Sequence, residues 1–150
     1  MPQSLSCILI HLVFSTKNRE AVLTRAVQSE LHPYLGGVLG KIDCPSVQIG
    51  GTEDHVHILF SICRTRTIAS IVETVKTSSS KWIKRKGRGF EGFHWQSGYA
   101  AFSVSSSEAA TVIDYIRNQA DHHQKMTFQD EYRKFLNRHK ILFDEKYAWD

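Results

Sequence analysis

The segment DHVHILF, residues 54–60, limits the fold of this chain more than any other stretch. It is rich in β-branched, aromatic and aliphatic residues and follows two glycines, which is typical of a β-strand entered through a turn. Side chains alternate between the faces of a strand, so His55 and His57 share one face and Val56 and Ile58 share the other. The segment therefore predicts a strand anchored in a core, with two imidazoles placed to bind one divalent metal ion.

The segments before this histidine strand predict two further strands and a helix. Short runs rich in Ile, Val and Leu predict buried strands, and apolar residues repeating every three to four positions predict a helix. The predicted elements are a strand over residues 5–15, a helix from Thr24 to about Leu39, and a strand over residues 44–50 joined to the histidine strand through a Gly50-Gly51 turn. Pro33 lies within the predicted helix, where it predicts a kink or a later start.

The second half of the chain continues the alternation of helices and strands. The predicted elements are a helix capped by Thr67, a strand over residues 93–103, a helix opened by Ser107 and Glu108, and a short helix from Thr127 to about Arg138. The order β-α-β-β-α-β-α is that of a ferredoxin-like split β-α-β sandwich. We expect one α+β domain over residues 1–150, with an antiparallel sheet, the histidine strand in its centre and an extra carboxy-terminal helix carrying Tyr115.

The composition excludes several classes of protein. Apolar residues make up 41% of the chain and charged residues 23%, as in an ordinary globular domain. No apolar run approaches the ~18 residues of a membrane-spanning helix, so no membrane partner is expected. Cys7, Cys44 and Cys63 are odd in number and widely spaced, which favours a reducing cytoplasm over a disulfide framework or a zinc knuckle. The net charge of +4 is compatible with a polyanionic partner.

Tyr115 and Gln119 strengthen the metal hypothesis. Two imidazoles alone are a weak signal, because a protein metal site usually has at least three ligands. Tyr115 and Gln119 are four residues apart on one predicted helix and therefore share a face. The glutamine carbonyl suits Mg²⁺ or Mn²⁺, and a tyrosine beside a metal can attack phosphorus. Without the histidines, Tyr115 would be interpreted as a core aromatic residue.

These residues match the motifs of a known family. His55-Val56-His57 follows GGTED at 50–54, and YIRNQ at 115–119 lies near the end. The supporting stretches are LVFSTKNR at 12–19, WQSGY at 95–99 and His122-His123. The chain resembles the single-tyrosine HUH transposases of small hairpin-ended insertion sequences, a family that also contains the repeat-associated tyrosine transposases. The resemblance covers nearly the whole chain.

The resemblance implies a function and a role for each matched residue. His55, His57 and Gln119 would hold Mg²⁺ or Mn²⁺, and Tyr115 would attack single-stranded DNA at hairpin-bearing ends to form a 5′-phosphotyrosine. A free 3′-hydroxyl would then rejoin the strands, so the enzyme would be a metal-dependent DNA transposase. The resemblance also implies a homodimer in the cytoplasm of a bacterium or archaeon, in which the tyrosine helix of one subunit completes either its own metal site or that of its partner.

A basic segment over residues 76–88 predicts a surface for single-stranded DNA. Cations follow the phosphate backbone and aromatic side chains stack on bases. The predicted DNA-binding residues are Lys76, Lys81, Lys84, Arg85, Lys86 and Arg88. The alternative is that these cations only cover the solvent face of a helix and that Trp82, within the segment, lies in the core.

No nucleotide cofactor is expected. The run GGVLGKI at 36–42 fails as a P-loop, because three residues rather than four separate Gly36 from Gly40 and Ile42 lacks a hydroxyl. Transesterification conserves the phosphodiester bond and needs no ATP.

The remaining polar residues receive structural interpretations. His11 is expected to be a buried, hydrogen-bonded histidine, and His122 and His123 are placed outside the ligand set. Glu53 and Asp54 are expected to be turn residues, with an outer-shell carboxylate as the alternative.

Two other functions stay open. One is a ferredoxin-like module that binds a DNA or RNA hairpin without chemistry. The other is a metal hydrolase that activates water with the two histidines.

Overall fold

The computed structural model describes residues 2–150 and forms one antiparallel sheet with helices on both faces. The strands are β1 (Leu9–Ser15), β2 (Ser46–Gly51), β3 (His55–Ser61) and β4 (Ala100–Val104). The helices are α1 (Arg25–Lys41), α2 (Ile68–Lys84), α3 (Ala109–Arg117), α4 (Gln119–His123) and α5 (Phe128–Arg138), with short 3₁₀ turns at Lys17–Arg19 and Ser106–Glu108.

The strand order is β2-β3-β1-β4, and all neighbouring strands are antiparallel. This arrangement confirms the predicted ferredoxin-like sheet. It places the histidine strand β3 between β1 and β2, where both of its edges are hydrogen-bonded. None of the helices within residues 2–150 combines the length and the apolar character that crossing a membrane requires.

Three helices begin at the threonines that the sequence offers as caps. Thr24, Thr67 and Thr127 each accept a hydrogen bond from the backbone amide three residues later, at 3.3, 3.1 and 3.2 Å. Such caps satisfy amides that have no partner inside the helix. The helix α1 begins at Arg25 and continues through Pro33, so the predicted late start is wrong. Pro33 is exposed, so its ring disturbs no packing against the sheet.

The two faces of the sheet carry different side chains. Val56, Ile58 and Phe60 of β3 join the main core, which α1 and α2 cover. The alternate residues of the strand, including His55 and His57, face the other side, as the alternation rule requires. That side is closed by α5, whose Phe128, Tyr132 and Leu136 pack on Val13, Ala100 and Phe102. The sheet therefore separates the histidines from α1 and α2.

Several element boundaries differ from the predictions. The strand predicted over 93–103 is ordered as β4 only from Ala100, because the carbonyls of residues 96–98 accept hydrogen bonds from Lys76 Nζ instead of from a neighbouring strand. The first strand begins at Leu9 rather than at residue 5.

The expected Gly50-Gly51 turn is also wrong, since both glycines belong to β2 and the turn follows them. Gly51 is required where it lies, because a Cβ there would be 2.2 Å from the carbonyl oxygen of His55.

Candidate active site

His55 and His57 are completely buried on β3, and their rings are 5.1 Å apart. A neighbour orients each ring through its Nδ1 atom: His55 Nδ1 donates to Asp54 Oδ1 at 2.7 Å, and His57 Nδ1 is 2.8 Å from His11 Nε2. Such partners fix which nitrogen is free for a ligand. Both Nε2 atoms therefore face the space under α4 and α5. The predicted buried role of His11 is confirmed, and Asp54 contacts His55 in the way an outer-shell carboxylate would.

Glu131 of α5 enters this space although its side chain carries a charge. Its side chain is 1% exposed. The Oε1 atom lies 2.8 Å from His57 Nε2, 3.5 Å from His55 Nε2 and 3.1 Å from His123 Nε2. Gln119 adds a carbonyl oxygen, Oε1, at 3.1 Å from His55 Nε2. Three imidazoles, a carboxylate and an amide oxygen therefore point to one place.

The donor atoms lie close enough together to surround a single ion after small side-chain adjustments. His55, His57, His123 and Glu131 offer four atoms that all lie within 4.8 Å of one another. Donors about 2.1 Å from one ion are roughly 3.0 Å apart in octahedral geometry and roughly 3.4 Å apart in tetrahedral geometry. Within residues 2–150, His123 Nε2 is buried and makes no hydrogen bond of good geometry, although Glu131 Oε1 lies 3.1 Å away. A nitrogen in that position, once deprotonated, is a suitable ligand for a divalent cation.

The charge state of the group also suits a cation. Burial lowers the pKa of His57 to about 4, so this imidazole is neutral at pH 7. Burial alone would raise the pKa of the Glu131 carboxyl, but the surrounding imidazoles, His57 first, hold it well below its ordinary value. Burial would lower the pKa of His123, but the hydrogen bond and the charge of Glu131 raise it. The ionised carboxylate beside the neutral imidazole of His57 places a negative charge in the buried site, and a divalent ion would stabilise that charge.

Tyr115 of α3 lies at the edge of the same group. Its hydroxyl donates to Glu131 Oε2, and its ring centroid is 5.8 Å from that of His57. His122 stacks on the tyrosine ring at 4.5 Å. Burial, followed by the negative charge of Glu131, raises the pKa of Tyr115 above its ordinary value. The phenol and the imidazoles thus meet within one chain.

Gln119 contacts the site from a different helix from the one predicted. The sequence predicts that Tyr115 and Gln119 lie on one continuous helix, but α3 ends at Arg117 and Asn118, with φ −101° and ψ 26°, separates it from α4. Gln119 Nε2 is 3.3 Å from Glu131 Oε2, while its Oε1 faces His55. After the break, the amide oxygen faces the imidazole of His55, while the amide nitrogen and the Tyr115 hydroxyl both contact Glu131 Oε2.

Two residues of the group were missed by sequence reasoning. His123 was placed outside the ligand set, whereas the structure brings it within the donor cluster. Glu131 was not considered, because it is separated from His57 by 74 residues. The only sequence signal is its position on the apolar stripe of α5 with Phe128, Tyr132 and Leu136, where a carboxylate is out of place.

The predicted DNA-binding residues lie on α2 or just after it, and α2 packs on the face of the sheet opposite the histidines. Two of these residues already have partners. Lys76 Nζ donates to the carbonyls of Gln96 and Gly98, both at 2.6 Å. Lys86 pairs with Glu30 and lies over the Trp82 ring at 4.3 Å from its centroid. The other four residues stay candidates for contact with phosphates.

A cavity of about 210 Å³ opens beside Tyr115. His11 and Phe135 line its inner part, and Lys134 and Arg138 of α5 lie at its wall. Both cations are exposed, four residues apart on one face of α5. Glu108 also lines the cavity, so the open side of the tyrosine carries two cations and one carboxylate.

Comparison with known proteins places the fold among transposases. Among solved structures, a proposed transposase from Deinococcus radiodurans is 24% identical and has a TM-score of 0.62, over 79% of this chain and 98% of that chain. A REP-associated tyrosine transposase bound to a REP hairpin is 13% identical with a TM-score of 0.61, over 82% of this chain and 72% of that chain. At these identities the likeness shows the fold alone.

The sequence comparison is more specific. No curated protein matches the chain. The family described as "Transposase IS200 like" matches residues 4–119, which include the histidine strand, Tyr115 and Gln119. Because this match covers most of the sequence, the chain belongs to the IS200-like transposase family.

Proposed function

We propose that this protein is a metal-dependent DNA transposase that cuts and rejoins single-stranded DNA at hairpin-bearing ends through a tyrosine-linked intermediate. Membership of the IS200-like transposase family supports the enzyme class. The observation that carries the mechanism is the meeting of the Tyr115 hydroxyl with the imidazole cluster through one buried carboxylate, Glu131. A hairpin-binding module without chemistry has no use for this arrangement.

The reaction is an exchange of one phosphate ester for another. Tyr115 Oη attacks the scissile phosphorus, a new Oη–P bond forms, and the P–O3′ bond breaks. The phenol proton is lost, the leaving 3′-oxygen gains a proton, and the 5′ end stays attached to the tyrosine. Attack of a 3′-hydroxyl on this linkage reverses the steps with a new strand, so the number of ester bonds is conserved and no ATP is consumed.

His55, His57 and Gln119 are the proposed ligands of Mg²⁺ or Mn²⁺, and His123 adds a further nitrogen on the same space. The ion would polarise the phosphoryl oxygens of the scissile phosphate. The chain's own residues hold the imidazoles and the phenol in place: Asp54 and His11 fix the rings of the two strand histidines.

The proposed substrate is single-stranded DNA that carries hairpins. Support comes from Lys134 and Arg138, two exposed cations at the cavity beside Tyr115, and from the exposed cations near the end of α2. The REP hairpin bound to one of the structural neighbours also supports this substrate class. We place the protein in the cytoplasm of a bacterium or archaeon and propose that it acts as a homodimer, which light scattering of the purified protein would test.

A denaturing gel tests the chemistry. The purified protein is incubated with a labelled single-stranded hairpin oligonucleotide and Mn²⁺, and the expected product is a covalent protein–DNA band. Tyr115→Phe and added chelator should both remove the band, whereas Tyr147→Phe, a change in the exposed carboxy-terminal tail, should leave it unchanged. Cleavage without a band would indicate a hydrolase, and a mobility shift with intact DNA would indicate a binding module.

A further inference from the structure

Glu131 contacts the histidine cluster and the tyrosine with different oxygen atoms. Oε1 lies among the Nε2 atoms of the imidazoles, with His57 at 2.8 Å. Oε2 accepts hydrogen bonds from the Tyr115 hydroxyl and, at 3.3 Å, from Gln119 Nε2. Since the side chain is 1% exposed, water does not take the place of either set of contacts.

Helix α5 holds this carboxylate in a fixed position. Phe128, Tyr132 and Leu136, which flank Glu131 along the helix, are buried in the apolar cluster on the sheet. The Thr127 cap fixes the first turn, which includes Glu131. A carboxylate anchored in this way cannot follow one partner without moving the other, because the three atoms of a carboxylate are rigid.

We propose that Glu131 links the metal ion to the nucleophile: Oε1 serves as a ligand of the ion, and Oε2 holds the Tyr115 hydroxyl at the correct distance for attack. The inference rests on the proposed function and extends it to a helix that the family match, which ends at residue 119, does not reach. Carboxylate oxygens are the ligands that Mg²⁺ and Mn²⁺ prefer. Glu131 is then a catalytic residue that touches both the ion and the reacting oxygen.

Two measurements on the same variants separate the two contacts. The first is the dissociation constant for Mn²⁺ alone, measured without DNA by the loss of the free-ion electron paramagnetic resonance signal. The second is the rate of the covalent protein–DNA band at saturating Mn²⁺. Glu131→Gln should raise the Mn²⁺ dissociation constant about tenfold or more, and it should slow the band about tenfold or more even when the ion is saturating.

Control variants make the result specific. Tyr115→Phe removes a hydrogen bond to the proposed ligand, so it should raise the Mn²⁺ dissociation constant less than Glu131→Gln does, while it removes the band completely. Glu73→Gln, an exposed glutamate on α2 beyond the sheet, should change neither quantity. If Glu131→Gln does not fold, Glu131→Asp replaces it. The shorter side chain cannot reach both partners, so at least one of the two quantities should still change about tenfold.

The outcomes decide between the proposals. Unchanged Mn²⁺ affinity in Glu131→Gln would show that Glu131 is not a ligand of the ion. A wild-type rate at saturating Mn²⁺ would show that Glu131 does not position the Tyr115 hydroxyl. Either result rejects the link. Different results would reject the proposed function itself. These are wild-type Mn²⁺ binding by His57→Ala, or formation of the covalent band by Tyr115→Phe.

Discussion

Gly50 lets the tyrosine helix approach the sheet, and replacing it with alanine should misplace the nucleophile. A Cβ at this position would lie 2.4 Å from the carbonyl oxygen of Ile116 and 2.9 Å from its Cγ2 atom. Gly50 pairs with His57 in the ladder between β2 and β3, so its strand cannot move away from α3 without breaking that pairing. The end of α3, which carries Tyr115 next to Ile116, must therefore give way.

The size of the effect follows from these distances. Real Cβ atoms essentially never come closer than 3.0 Å to such a neighbour, so the helix end must move by at least the difference between 3.0 and 2.4 Å, about 0.6 Å. A misplacement near 1 Å can cost about a hundredfold in rate, and overpacking of this kind costs about 1–3 kcal/mol of stability. We expect Gly50→Ala to slow the covalent band about tenfold to a hundredfold.

The assay compares the band rate at saturating Mn²⁺ with the Mn²⁺ dissociation constant of the free protein. Gly50→Ala should lower the rate more than it weakens Mn²⁺ binding, because the imidazoles on β3 stay in place and only Gln119 among the proposed ligands moves with the end of α3. The matched control is Gly37→Ala on the exposed side of α1, where a Cβ meets nothing within 4 Å. A wild-type rate for Gly50→Ala in folded protein would refute the claim that close packing of α3 on β2 positions the tyrosine.

Three other predictions concern the support of the site, its metal and its DNA. His11→Ala removes the partner of His57 Nδ1, so Mn²⁺ affinity measured by calorimetry should fall about tenfold to a hundredfold; wild-type affinity would show that this contact does not orient the ring. Mn²⁺ at a hundred times its dissociation constant should stabilise the protein by about 2.7 kcal/mol, and an unchanged melting temperature would argue against a folded-state metal site. Replacing Lys84 and Arg85 with alanine should reduce the slope of log DNA affinity against log salt by about 1.4, while the band rate at saturating DNA stays unchanged because the sheet separates these cations from Tyr115. An unchanged slope would remove them from the DNA-binding surface.

The fold was predictable from the sequence because its signals are local. The alternation in residues 54–60 fixes which side chains of β3 face the core, and the threonine caps mark the starts of α1, α2 and α5. The order of strands and helices then leaves few topologies. At β4 a contact distant in sequence shortened the strand, because the amine of Lys76 binds the carbonyls of Gln96 and Gly98 that were expected in it.

The site was only partly predictable, because some of its residues lie on separate elements and show no characteristic spacing in the sequence. His55 and His57 come from one strand, and Tyr115 and Gln119 from one short segment, so their spacing carries a signal. Glu131 comes from a separate helix, and its place depends on how α5 packs on the sheet. His123 was set aside although it lies four residues after Gln119, a spacing that places both side chains on one face of a helix.

Burying the polar cluster lowers the stability of the folded protein. A cluster that lowers stability is explained by its chemistry rather than by a structural role. A carboxylate buried among imidazoles gains little over apolar residues of similar volume, whereas removing one partner leaves an unpaired charge. We therefore expect the double variant His57→Leu, Glu131→Met to melt at or above the temperature of the metal-free wild type, while losing all stabilisation by Mn²⁺. The single variant Glu131→Met should melt lower than the double variant, because it leaves the buried imidazole without its partner. A double variant that melts well below the wild type would mean that these polar contacts hold α5 on the sheet, and the case for a site maintained by its chemistry would fail.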